Sequence, residues 1–249
     1  MTHVEHHAPV SCVPGLATPR RPTFNRLLAG LPPDDLGRLL PQLEPVRLEV
    51  RQALFEPNWP IGHVYFVESG LVSVVAGTNG HGLVEVAPIG CEGMVGLPVV
   101  LEAETSPHRA MVQVAGRALR MSADDLRQAI GEIGALRTLL LRYGQALMVQ
   151  AAQGVACNGR HAINGRLARW LLQAHDREAD DRIPLTHELI SQMLGVRRAG
   201  VTTALGALEA TGVIDASRGC ITVLDRAGLE RASCECYGIV RAEFDKLLG

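Results

Sequence analysis

Lysine is almost absent from this chain: of 24 basic side chains, only Lys246 is not an arginine. The formal net charge is −2, so no global basic field is available to attract a polyanion. Any attraction to phosphate must come from local clusters of arginine. From Cys157 onward, acidic and basic side chains balance as well, which predicts modest non-specific affinity for nucleic acid. Arginine offers a planar fork suited to phosphate and guanine, although a GC-rich genome produces the same bias. No stretch approaches the roughly 20 apolar residues that a membrane span requires. The N-terminal stretch carries His3, His6 and His7 without an apolar run, which excludes a signal peptide. Six cysteines without paired spacing read as reduced thiols rather than a disulfide framework. A soluble, cytoplasmic protein is expected. The sequence shows no nucleophile beside a base, no phosphate loop and no paired catalytic carboxylates. No enzyme activity, cofactor or metal site is therefore expected.

A length of 249 residues suits two modest domains with real cores. Four segments are expected. Residues 1–22, rich in Pro and His, read as a disordered tail. Residues 23–134 read as a first domain, 135–158 as a long helix with a hinge, and 159–249 as a second domain.

The most informative stretch is LTHELISQMLGVRRAGVTTALGALEA, residues 185–210. Thr186 is placed to cap a helix, and Leu185 with Ile190 suits a hydrophobic staple around that cap. Leu189, Ile190, Met193 and Leu194 give one apolar stripe at helical spacing. Gly195 falls where a left-handed residue would end the helix, with Val196 and Arg197 completing a tight turn. A second helix would bury Val201, Leu205 and Leu208 and turn Arg198, Ala199, Thr202 and Thr203 outward. Two short helices joined by a glycine turn make a helix-turn-helix, which can place its second helix in the major groove. An ordinary helical hairpin is the alternative. The adjoining stretch TGVIDASRGCITVLD favours the first reading. It reads as a strand, a turn at Ser217-Arg218-Gly219 and a β-branched return strand. Such a wing would put Arg218 near a phosphate and align it with Arg197 and Arg198. Double-stranded DNA is the partner this implies.

Upstream, residues 25–40 suggest one or two short helices broken by Gly30 and Pro32-Pro33. Residues 44–121 hold short β-rich runs punctuated by Gly62, Gly70, Gly80, Gly82, Gly90, Gly93 and Gly96, as an antiparallel sandwich or barrel would. Asn79-Gly80 is a strong hairpin signal. Ser122 with Asp125 resembles a capping box opening a helix to Ile130. Residues 136–156 are helical and unusually apolar, with Leu136, Leu139, Leu140, Tyr143, Leu147 and Gln150 near one side. A face that broad needs two burial surfaces. One would be the β domain and the other a second copy of the helix, with Leu136, Leu140, Tyr143 and Leu147 as the expected dimer contacts; a plain core helix is the alternative. A helix-turn-helix that reads two half-sites also favours a symmetric homodimer. Cys157-Asn158-Gly159 reads as a hinge, and residues 164–175 as the first helix of the second domain.

The order of β-rich domain, long helix and winged helix resembles the Crp/Fnr family of bacterial transcription regulators across residues 24–225. GRLARWLL, PLTHELISQMLGV and VIDASRGCITVLD occur in the family's order and approximate spacing. The resemblance implies an α+β chain: an N-terminal antiparallel jelly roll like cyclic-nucleotide-binding domains, a dimerisation helix, and a C-terminal winged helix-turn-helix. RNA polymerase is a further implied partner. Carried over by position, Thr186 and His187 would approach phosphates, and Arg198 matches the arginine that reads a guanine edge. The Glu that usually follows is here Ala199, and a second base-reading Arg is here Thr203, so the family's best-known half-sites are not expected to be read. Thr202 and Thr203 offer hydroxyl or methyl contacts instead.

The effector pocket implied by the resemblance falls at Gly96, His108 and Arg109, and it departs further. Where cyclic-AMP-binding members place Gly-Glu and Arg-Ser, this chain has Gly96-Leu97 and His108-Arg109-Ala110. The polar pair that meets adenine becomes Ala151-Ala152. Each unsatisfied ligand group costs about 1–3 kcal/mol, so cyclic AMP is not expected to bind and the effector stays unnamed. An N-terminal iron–sulfur cluster lacks its cysteines, since only Cys12 lies there. Cys234 and Cys236, two apart on an apparent C-terminal helix, would point to different sides. A cupin-like metal enzyme, with His63 and Glu68 as thin ligands, and a ligand-independent interaction module are the rival readings.

Overall fold

The computed structural model describes residues 23–78, 82–178, 180–217 and 219–249. The expected tail (1–22), the Asn79-Gly80 turn and Arg218 lie outside the described residues. Two short helices, α1 (Arg26–Ala29) and α2 (Pro33–Leu39), open the described chain. The Asn25 side chain caps α1 by accepting from the Leu28 amide. Its amide nitrogen also donates to the carbonyls of Val67 and Gly93, both at 2.7 Å, which pins the helical entry to the β domain.

That domain holds β1 (Glu44–Leu48), β2 (Ala53–Phe55), β3 (His63–Thr78), β4 (Gly82–Ile89), β5 (Met94–Val95) and β6 (Arg109–Ser122), with a one-turn helix α3 (Leu97–Val100) between β5 and β6. The sheet runs β1-β6-β3-β4, with β2 added on β6 and β5 on β3, and every pairing is antiparallel. Strands β3 and β6 are 16 and 14 residues long. Their register shifts three times between Val67 and Val72, and bulges of this kind bend strands and let a sheet fold over on itself. The bend depends on two glycines. Gly70 has φ +88°, and a Cβ there would lie 2.7 Å from the Val114 carbonyl oxygen; a Cβ on Gly116 would lie 1.9 Å from that of Ser69. The result is the expected jelly-roll-like domain. Pairing of Thr78 with Gly82 closes the β3–β4 hairpin.

Ser122 caps α4 (Ala123–Glu132) by accepting from the Asp125 amide at 3.0 Å, as its position in the sequence suggested. The 27-residue helix α5 (Gly134–Arg160) follows. The expected hinge at Cys157-Asn158-Gly159 is instead part of this helix, and the break falls at His161-Ala162, where the backbone turns extended. A mid-helix glycine costs only about 1 kcal/mol, and Cys157 is fully buried, so the last turn is held by packing.

The C-terminal domain comprises α6 (Ile163–His175), β7 (Arg182–Ile183), α7 (His187–Leu194), α8 (Arg198–Ala210), β8 (Ile214–Ser217), β9 (Cys220–Val223), α9 (Arg226–Ala232) and α10 (Cys236–Leu248). Its small sheet runs β7-β9-β8. Trp170, Leu171, Ile190, Val201, Leu205 and Leu229 fill its core, and Leu71, Val75 and Val114 of the β domain join them. The last helix returns along α5, where Phe244 meets Tyr143 edge to face at 6.4 Å between ring centroids. Such aromatic pairs add about 0.5–1.5 kcal/mol beyond the area they bury.

Candidate nucleic-acid interface and its sensor

The helix-turn-helix is built from local signals. Thr186 accepts from the Leu189 amide at 3.2 Å and so starts α7. Gly195 ends it in the left-handed region at φ +63°, and Arg166 of α6 donates to the Leu194 carbonyl at 2.5 Å. The turn is thereby fixed against the preceding helix. Val201, Ala204, Leu205 and Leu208 bury one side of α8. The other side carries Arg198, Ala199, Thr202 and Thr203, all exposed, with exposed Arg197 just ahead of the helix. Arg197 provides no side-chain cap, so first-turn amides of α8 remain available to an anion.

Two hydroxyls on this face are half committed. Thr202 and Thr203 donate to the carbonyls of Arg198 and Ala199, at 3.2 and 3.1 Å. Their oxygens can still accept, and their methyl groups stay outward. His187 Nδ1 lies 3.1 Å from Thr202 Oγ1, tying the two helices together. Ser217 is exposed near the end of β8, and Arg218 lies outside the described residues. Thr186, His187, Glu188, Arg198, Ala216 and Gly219 border one cleft of about 590 Å³, and its other wall holds Arg51. Arg51 belongs to the β1–β2 turn of the sensor domain and adopts a positive φ of 68°. In this arrangement the sensor therefore shares the face expected to meet DNA.

Three further contacts dock the two domains. Glu85 of β4 is half-buried, accepts from Trp170 Nε1 at 2.7 Å and from Ser73 Oγ at 2.5 Å, and burial raises its pKa. Arg177, just beyond α6, forms a buried ion pair with Glu92 at 2.6 Å and donates to the Gln173 carbonyl at 2.5 Å. Burial alone would lower the Arg177 pKa, and the charges of Glu92, Asp176 and Glu85, with the hydrogen bond to Glu92, together more than offset it. Gly90 makes room for this arginine, since a Cβ there would lie 2.3 Å from its Cγ. Gly195 also faces Val84 of β4.

The arginine expected at the effector pocket is already paired. Gly96 takes φ +107° ahead of α3, tight against Val64. The His108 amide donates to Ser106 Oγ at 3.1 Å. Arg109 is committed to Glu56, with Nε and Nη2 both 2.7 Å from one carboxylate oxygen. Ala151 is half-buried and Ala152 exposed. The expected dimer contacts are also placed differently: Leu136, Leu140, Tyr143 and Leu147 are all buried within the protomer's own sensor core. Tyr143 donates to the Met94 carbonyl at 2.9 Å. The outward side of α5 instead exposes Leu141, Met148 and Val155, seven residues apart. Sequence reasoning chose the strongest apolar stripe, and the sensor takes it.

Sequence reasoning also missed a cluster. Cys157, His161, Cys234 and Cys236 bring their ligand atoms within 4.8 Å of one another. Cys234 sits in the turn before α10 and not on the helix, so the argument that the two cysteines diverge does not apply. The available signal was Cys157 in the last turn of α5 and His161 four residues on, at its C-cap. Burial would raise the Cys157 thiol, and hydrogen bonds with His161, Cys234 and Cys236 together with the Arg169 charge more than offset it; Cys234 is pushed up to about 12 by burial and by Cys157.

A winged helix-turn-helix hung from a folded-over β domain by a long helix defines a DNA-binding regulator with an attached sensor. Residues 45–132 match the cyclic nucleotide-binding domain and residues 165–232 the Crp-like helix-turn-helix domain. The chain belongs to the Crp/Fnr family of transcription regulators. Among solved structures it resembles FixK2 from Bradyrhizobium japonicum, at 18% identity and TM-score 0.66 over 77% of this chain and 98% of that one. It also resembles TTHB099, a CRP-family transcriptional regulator from Thermus thermophilus, at 20% identity and TM-score 0.61 over 76% and 96%. The c-di-GMP-responsive global regulator CLP of Xanthomonas campestris aligns at 18% identity and TM-score 0.58 over 76% and 98%. At these identities the likeness is one of fold. No curated protein matches the sequence.

Proposed function

We propose that this transcription regulator binds double-stranded DNA as a cytoplasmic homodimer, and that its sensor no longer recognises cyclic AMP. The observation that carries the DNA reading is the outward face of α8, where Arg198 is exposed opposite the buried Val201–Leu205–Leu208 stripe. Arg198 is the one long side chain left there to read a base edge, and a bidentate contact to guanine is worth about 1–3 kcal/mol of discrimination. Thr202 and Thr203, their protons already donated to the backbone, read by accepting from an exocyclic amine or by touching a thymine methyl. Thr186, His187, Arg197, Ser217 and Arg218 supply phosphate contacts around them. RNA polymerase is the downstream partner.

The dimer reading moves to the outward seam of α5. Thr138, Leu141, Gln145, Met148, Ala152 and Val155 alternate at spacings of three and four and are all exposed, the pattern of a two-stranded helical seam. The shared cleft between Arg51 and the recognition residues supports a closed arrangement that must open before α8 enters a groove. No helix among the described residues is long and apolar enough to cross a membrane, which agrees with a cytoplasmic site of action. Against a cupin-like enzyme, the Glu68 carboxylate is already engaged, accepting from Thr23 Oγ1 and the Phe24 amide.

The test is a gel-shift series on fragments selected from the host genome, with point variants of the selected site. Arg198→Ala should lose about 1–3 kcal/mol of specific binding and relax preference at one base pair per half-site. Equal weakening on every variant would make Arg198 a phosphate contact.

A further inference from the structure

The end of α5 and the start of α10 converge on four donor atoms that DNA recognition does not use. Cys157 Sγ lies 3.5 Å from Cys234 Sγ, and Cys236 Sγ lies 3.4 Å from His161 Nδ1. All four ligand atoms fall within 4.8 Å of one another. In a tetrahedral zinc site, metal–sulfur and metal–nitrogen bonds of about 2.3 and 2.0–2.1 Å put neighbouring ligand atoms about 3.5–3.8 Å apart. Two contacts already sit near that spacing, and the others need to close by about 1 Å at most. An iron–sulfur cluster spreads its cysteines over separate irons; four donors this close enclose a single ion.

The surroundings match a metal centre as well. His161 Nε2 faces the Glu235 carboxylate at 3.2 Å, the carboxylate–histidine relay that orients a ligating imidazole. Gln153 Nε2 donates to Cys236 Sγ at 3.1 Å, as hydrogen bonds to ligand sulfur do around such centres. Cys157 and Cys236 are buried, while Cys234 and His161 are half-buried, so an ion has a way in. The turn holding Cys234 is tied to the DNA-binding domain through its amide, which donates to the Gly165 carbonyl of α6 at 3.4 Å.

We propose that Cys157, His161, Cys234 and Cys236 bind one zinc-class metal ion that clamps the end of the long helix to the C-terminal helix. Three thiolates and an imidazole suit Zn²⁺, and four protein ligands leave no open position for catalysis. The clamp spans the joint at His161-Ala162, where the winged helix departs from α5, so occupancy fixes the orientation of the DNA-reading face. The site stands on its own donors and holds whether or not the operator reading above is right.

The experiment loads the reduced, metal-free full chain with Co²⁺ and then Zn²⁺, following absorption and metal content. One cobalt per chain should bind, with intense tetrahedral d–d bands and a near-ultraviolet thiolate-to-cobalt band, and one zinc should displace it. Cys157→Ser should remove roughly a third of the charge-transfer intensity, as one of three thiolates is lost. Glu235→Gln should weaken zinc affinity by about 10–100-fold, and Cys220→Ser on the wing should change neither. An octahedral cobalt spectrum, less than one metal per chain, or metal content indifferent to Cys157→Ser would overturn the proposal. So would a Cys157–Cys234 disulfide that forms on air exposure while the reduced protein takes up no metal. Because the wild-type cobalt spectrum is itself decisive, a variant that misfolds does not protect the idea.

Discussion

The start of α8 and the sensor face that meets the winged helix use their charged side chains in opposite ways. On the winged helix, Arg197 and Arg198 stand exposed with no side-chain partner among the described residues, as a surface awaiting a polyanion requires. In the β domain Arg109 holds Glu56, Glu92 holds Arg177, and Glu85 accepts a hydrogen bond from the Trp170 indole. Arg109, the arginine of the expected effector pocket, is spent on a contact inside the sensor. Glu85 and Glu92 instead tie the sensor to the DNA-binding domain.

That contrast breaks most severely at Glu92. Glu92→Gln leaves Arg177 charged and buried without its hydrogen-bonded carboxylate, and breaking a buried pair typically costs about 3–5 kcal/mol. A loss of about 3 kcal/mol or more is expected in denaturant unfolding, and Glu92→Met with Arg177→Met should recover most of it. The second break is at the outward seam of α5. Leu141→Glu with Met148→Glu replaces two exposed apolar side chains and should weaken dimerisation by about 3 kcal/mol or more, read as monomers in sedimentation. An unchanged dimer would remove this face from the interface. The smallest effect concerns Glu178, raised from 4.5 to about 7 by burial and then by Asp180. The folded state holds this proton more tightly than the unfolded chain, so its contribution falls as pH rises from about 4.5 to 7 and is constant above. Glu178→Gln should flatten that part of the stability profile and be the more stable protein at pH 8.

Much of the winged helix was legible because its signals are local. Thr186 at the cap and Gly195 at the stop act within one turn of themselves, and α7 and α8 begin and end beside them. The β domain was legible as strands and glycines, since Gly70 and Gly116 mark the bend. What failed depends on distance along the chain. Helix α5 is apolar on more than one side, and nothing within it says that Leu140 and Leu147 meet the sensor while Leu141 and Met148 do not. The partner of Arg109 lies 53 residues earlier, and Cys157 meets Cys234 across 77. Spacing rules reach neither.

The most direct test of the account is a footprint of the purified chain on a fragment selected from its own genome, run with and without cyclic AMP. The account predicts two symmetric protected half-sites about one helical turn apart, with the same protection in both conditions. Protection of a single half-site, uniform protection of unrelated DNA, or a footprint that forms only with cyclic AMP would contradict it.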